Sequence, residues 1–97
     1  MPDDHHFTVA GQKWLLRFTR LKGRAVGWAY LPDSKTPNME RKILIDSRLK
    51  GRPKCETIIH ELLHVCFPTV SEEHITVSAR DIARVLFSLN YREQPEE

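Results

Sequence analysis

The chain has 97 residues, 40% of them hydrophobic and 29% charged, the balance of one soluble globular domain rather than of a disordered or repeat-built protein. Its formal net charge of +2 is too small to point to nucleic acid as a partner. No apolar run approaches a membrane span, and the opening Met1-Pro2-Asp3-Asp4-His5-His6 lacks the basic-then-apolar pattern of a secretory signal, so a cytoplasmic protein with no membrane partner is expected.

Residues 1–6, His5-His6 included, read as a flexible tail, and Phe7-Thr8-Val9 as a short strand. Trp14 to Leu21 alternates, with Trp14, Leu16 and Phe18 on one face and Arg17 and Thr19 on the other. Lys22-Gly23 reads as a tight turn, and Ala25 to Leu31 as a second strand with Val26, Trp28 and Tyr30 on one face, so the two are predicted to form a β-hairpin. The most basic stretch, Arg17, Arg20, Lys22 and Arg24, then falls on a solvated sheet face and its turn. Trp28 and Tyr30 fit a sheet core better than a cleft wall. Pro32 to Asn38 is a connection, and Lys42 to Asp46 is the third strand. Gly51-Arg52-Pro53 breaks the chain, and Pro53 suits the first turn of a helix.

That helix carries His60-Glu61-Leu62-Leu63-His64, an H-E-x-x-H sequence. Residues four apart share one face of a helix, so both imidazoles can reach one ion, and Zn²⁺ accepts neutral imidazole nitrogen. Glu61 is placed to take a proton from a water that the ion activates. Ile58, Ile59, Leu62, Val65 and Cys66 gather on one apolar side, with His60, Glu61 and His64 opposite. Cys55 and Cys66 are eleven residues apart, about 16 Å along a helix and beyond disulfide reach. Both are expected to be buried free thiols in a reducing compartment.

Two His need a third ligand. Pro68 ends the first helix, Thr69 or Ser71 can N-cap a second, and Thr69-x-x-Glu72 fits a capping box. The second helix is predicted from about Glu72 to Tyr91, with Ile75, Ala79, Ile82, Ala83, Leu86 and Leu89 on its apolar face. Glu72 falls within that inward arc and is the favoured third ligand; Glu73 is the alternative and His74 a more distant one. Glu56 and Asp46 are the acids placed to orient a ligating imidazole. Residues 92–97 read as a second flexible tail.

The His60–His64 motif, a short loop and a helix opening with Glu72-Glu73 resemble the zincin metallopeptidases, in particular small gluzincin-like minimal domains of bacteria and phages. Arg41 to Asp46, followed by Ser47-Arg48-Leu49-Lys50-Gly51, is similar to the strand and connection that lead into the metal helix of that group. The resemblance spans about Val26 to Tyr91. It departs from metzincins, which carry Gly and His where this chain has Phe67 and Val70, and from thermolysin-like enzymes, whose longer spacer is absent.

The length and the predicted elements give a single α+β domain over residues 1–97, with three or four strands and two helices on one face in the order β-β-β-α-α, the core that the resemblance also implies. The resemblance implies a zinc-dependent peptidase acting on a peptide or protein substrate, with one Zn²⁺ held by His60, His64 and Glu72, or Glu73 in its place, and Glu61 as general base. Arg41 to Asp46 is then the expected edge strand for the substrate. Tyr30, His74, Arg80 and Tyr91 are chemically able to stabilise an oxyanion. The alternative is a non-catalytic zinc module with four protein ligands.

Overall fold

The computed structural model describes residues 3–31 and 40–94; the Pro32 to Asn38 connection lies outside them. Four strands precede two helices: β1 (Asp3–Val9), β2 (Gln12–Thr19), β3 (Gly27–Tyr30), β4 (Lys42–Asp46), α1 (Gly51–Cys66) and α2 (Glu72–Ser88). The fold is α+β, with a mixed sheet in the spatial order β1-β2-β4-β3.

The expected hairpin between Trp14–Leu21 and Ala25–Leu31 does not form. β2 instead turns back on β1, pairing Val9 with Gln12 through His5 with Leu16 to Asp3 with Phe18. Ala10 and Gly11 make the turn at φ 51° and 75°, the left-handed pair that a two-residue hairpin requires. Asp3–His6, expected in a tail, thus belong to a strand. Beyond β2 the chain crosses to the far edge as β3 and returns as β4, which runs parallel to β2 and antiparallel to β3. β4 takes the interior position because it is the most apolar strand, with Ile43 and Ile45 almost wholly buried. It is therefore not an edge strand; among the described residues the edges are β1 and β3, and β3 is the one that α1 packs on.

Strand alternation divides the sheet into two faces. Trp14, Leu16, Ile43 and Ile45 form the core with Val65 of α1, and Phe18, Ala29, Leu31, Ile58 and Leu62 pack against it. α1 lies on this face, over β3 and β4, and α2 packs against α1. Ile75, Ala79 and Ala83 supply the buried side of α2, and the two alanines allow close approach of the helices. Ile82 and Leu89, assigned to the same apolar face, are exposed, so the real contact stripe is narrower. Ser71, rather than Thr69, caps α2: its Oγ accepts the backbone N–H of His74. Among the described residues no helix is long and apolar enough to cross a membrane.

Candidate metal centre

α1 presents three different faces. Winding at about 100° per residue sets Glu61 about 60° from His64 but only about 40° from Val65. Glu61 therefore does not lie on one side with both His, opposite the apolar residues, as expected. It is buried at 8% exposure, directed at β3, while His60 and His64 lie at the mouth with side chains 20% and 23% exposed. Their rings sit edge to face with centroids 4.9 Å apart.

The close approach of α1 to β3 depends on Gly27. A Cβ built there would lie 2.7 Å from Thr57 Cγ2 and 2.8 Å from Glu61 Oε2. The absence of a side chain makes the space in which the Glu61 carboxylate rests. A lone Gly between Val26 and Trp28 in an otherwise strand-like stretch is the sequence signal for such an approach. Burial raises the Glu61 pKa; the two imidazoles oppose that shift and Glu72 adds to it.

Glu72 opens α2 directly after the Ser71 cap. One carboxylate oxygen is 2.8 Å from Nε2 of His60 and the other 2.6 Å from Nε2 of His64. Among the described residues, His60, His64 and Glu72 form the group able to hold a metal ion, with ligand atoms within 4.8 Å of one another. Glu73 and His74 are not in it; His74 turns to the cap, with Nδ1 2.8 Å from Ser71 Oγ. Glu72 does not turn inward as its place in the apolar arc implied, because its side chain is 67% exposed. Its position in the first turn of α2, which packs on α1, brings it to the imidazoles.

Two imidazole nitrogens and one carboxylate oxygen are a donor set that Zn²⁺ takes in open sites. Tetrahedral donors at zinc bond lengths lie about 3.4 Å apart, so these contacts need widen by only roughly 0.6–0.8 Å. The residues present fit the ion. They line a cleft of about 290 Å³ with Gly27, Trp28, Ala29, Leu31 and Glu61.

Several expected neighbours lie elsewhere. Asp46 is held by Arg48, which reaches both its oxygens at 2.9 and 2.6 Å; among the described residues no carboxylate but Glu72 contacts either imidazole. Neither Trp28 nor Tyr30 belongs to the core, and of the two only Trp28 borders the cleft. The pleat turns them to the sheet face away from α1, where they stack on each other. Tyr91 borders a separate groove with Cys55, Ile59 and Phe87, and Arg80 is exposed. Cys66 is exposed rather than buried, whereas Cys55 is half-buried; both are free thiols.

Comparison of the chain with protein-family models, curated proteins and solved structures returned no match.

Proposed function

We propose that the chain is a zinc-dependent metallopeptidase, with His60, His64 and Glu72 holding one Zn²⁺ and Glu61 acting as general base. The observation that carries the reading is the meeting of Glu72 with both imidazoles, 2.8 and 2.6 Å away, beside a carboxylate buried against an edge strand. A divalent ion there supplies a Lewis acid for the scissile carbonyl and lowers the pKa of water at the site. Glu61 takes the proton and passes it to the leaving amine. Its burial raises its proton affinity, the direction that suits a proton shuttle.

β3 supports a peptide substrate. It pairs with β4 on one side and forms the sheet's outer edge on the other. An extended chain can add to that edge through its backbone, and the neighbouring cleft contains Glu61 and both His. The small residues Gly27 and Ala29 keep the helix-facing side of β3 low. The alternative of a closed zinc module needs a fourth protein donor. His74, the further imidazole in the first turn of α2, is engaged with Ser71.

The deciding experiment is Glu61→Gln, assayed on an unstructured protein substrate with zinc content measured in parallel. Full zinc and fold with loss of cleavage are expected. Unchanged cleavage in that variant overturns Glu61 as the base, and absence of cleavage in the zinc-loaded wild type favours the non-catalytic module.

A further inference from the structure

The small net charge conceals a segregation by layer. Among the described residues, 3–31 and 40–50, which build the sheet and its loops, contain nine Lys and Arg against four Asp and Glu. The helices α1 and α2 contain four Lys and Arg against five Asp and Glu. The positive charge therefore lies on the sheet side, and the helix side is close to neutral. A charge asymmetry between parts of one chain is informative about partners even when the total is near zero.

The sheet has a second face that carries no helix among the described residues. α1 covers the face that carries Gly27, Ala29, Ile43 and Ile45. By the pleat and the strand register, the other face carries Trp28 and Tyr30 of β3, Lys42 and Leu44 of β4, and Lys13 and Arg17 of β2. Trp28 is 52% exposed. Its ring stacks on Tyr30 at 6.1 Å between centroids, and Lys42 Nζ sits 4.9 Å over the Tyr30 ring. Asp4, on the same face, is matched by Arg17 at 2.7 Å. Where β2 ends, the loop containing Arg20, Lys22 and Arg24 adjoins the turn after β4, and Arg48 bonds the Leu21 carbonyl across them.

We infer that this face binds single-stranded nucleic acid, bases stacking on Trp28 and Tyr30 and phosphates meeting Lys13, Lys42 and the Arg20–Arg24 loop. Aromatic rings on a sheet, flanked by cations, offer both elements that sequence-tolerant single-strand binding uses, a π-face for bases and charge for the backbone. A duplex hides its base faces and gains only the charge. A lipid surface would require protruding apolar side chains, and Trp28 and Val26 are the exposed large ones near this face among the described residues. Alternation on β3 sends Gly27 and Ala29 toward α1 and Trp28 and Tyr30 to the other face, so the surface adjoins the metal cleft only at Trp28, on the edge strand.

The test titrates the full chain into labelled oligothymidylate of about 20 nucleotides at low salt, followed by anisotropy. Trp14 is buried at 4% exposure, so quenching of tryptophan emission on binding reports Trp28. Binding that weakens steeply with salt is expected. Trp28→Ala should weaken it about fivefold or more, with Tyr30→Ala and Lys42→Glu also weaker and all three retaining the wild-type circular dichroism. Glu61→Gln should bind as wild type, so the outcome is separate from that of the peptidase reading. No binding at low salt, equal affinity of Trp28→Ala, tighter binding to a duplex of the same length, or preference for phosphatidylserine vesicles over the oligonucleotide each overturns the inference.

Discussion

Gly27 and Glu61 occupy one space: a Cβ on the former would stand 2.8 Å from Oε2 and 3.1 Å from Cγ of the latter. Such contacts cannot persist, and Thr57 on the same helix closes the other direction at 2.7 Å. Gly27→Ala must therefore move the Glu61 carboxylate or push β3 from α1. Overpacking of this kind costs about 1–3 kcal/mol. The expected result is a folded, less stable protein that still binds zinc and has lost most of its cleavage activity. A variant with full activity would show that the carboxylate has another place to rest.

Glu72→Ala and Glu73→Ala separate a ligand from a neighbour that only complements the helix dipole. Both acids lie in the first turn of α2, but Glu72 alone joins the two imidazoles. Glu72→Ala is expected to weaken zinc by more than the ~100-fold that loss of an outer-sphere partner can cause; Glu73→Ala should leave affinity near wild type. Zinc bound to the native state also raises stability by about 2.7 kcal/mol at 100 times its Kd. Thermal unfolding with and without chelator checks this, and a midpoint indifferent to zinc in the wild type counts against the site.

The sequence made parts of this arrangement legible and hid others for physical reasons. The spacing of His60 and His64 is a property of any helix, so their shared face needed no tertiary information, and Ser71 and Pro68 bracketed the start of α2. Sheet order was different. Lys22-Gly23 carries a stronger turn signature than Ala10-Gly11, and only the burial of Ile43 and Ile45 between β2 and β3 explains why β4 intervenes. With β4 interior, the expected substrate edge moved to Gly27–Tyr30. Glu61 was grouped with the two His opposite the apolar side, although its helical angle lies nearer Val65 than His64.

Asp46 and Arg48 provide a pH test away from the metal centre. Arg48 holds the Asp46 carboxyl well below the usual carboxylate range through its side-chain and backbone hydrogen bonds. A group whose folded pKa is depressed stabilises fully above its unfolded value, about 3.9 for Asp, and that contribution fades as pH falls toward the folded value. Asp46→Asn should thus be less stable than wild type near neutral pH, with the gap narrowing below about pH 4. Urea unfolding at a series of pH values measures it; a gap that stays constant into acid would mean that packing, not charge, holds this turn.

Ala83 tests whether the helix pair positions Glu72. It is fully buried on the α2 face that meets α1, one turn beyond the equally buried Ala79. Ala83→Leu adds three carbons where the helices approach closely, at an expected cost of about 1–3 kcal/mol. Relief of that strain tilts or slides α2 as a rigid rod, and Glu72 lies at its other end, about 16 Å along the axis. The predicted outcome is a lower urea midpoint together with weaker zinc binding, although the substituted residue touches no ligand. Ile82→Leu, at a position 40% exposed on the same helix, should change neither. If Ala83→Leu loses stability while zinc affinity holds, Glu72 is positioned by its own turn and the Ser71 cap rather than by the helix interface.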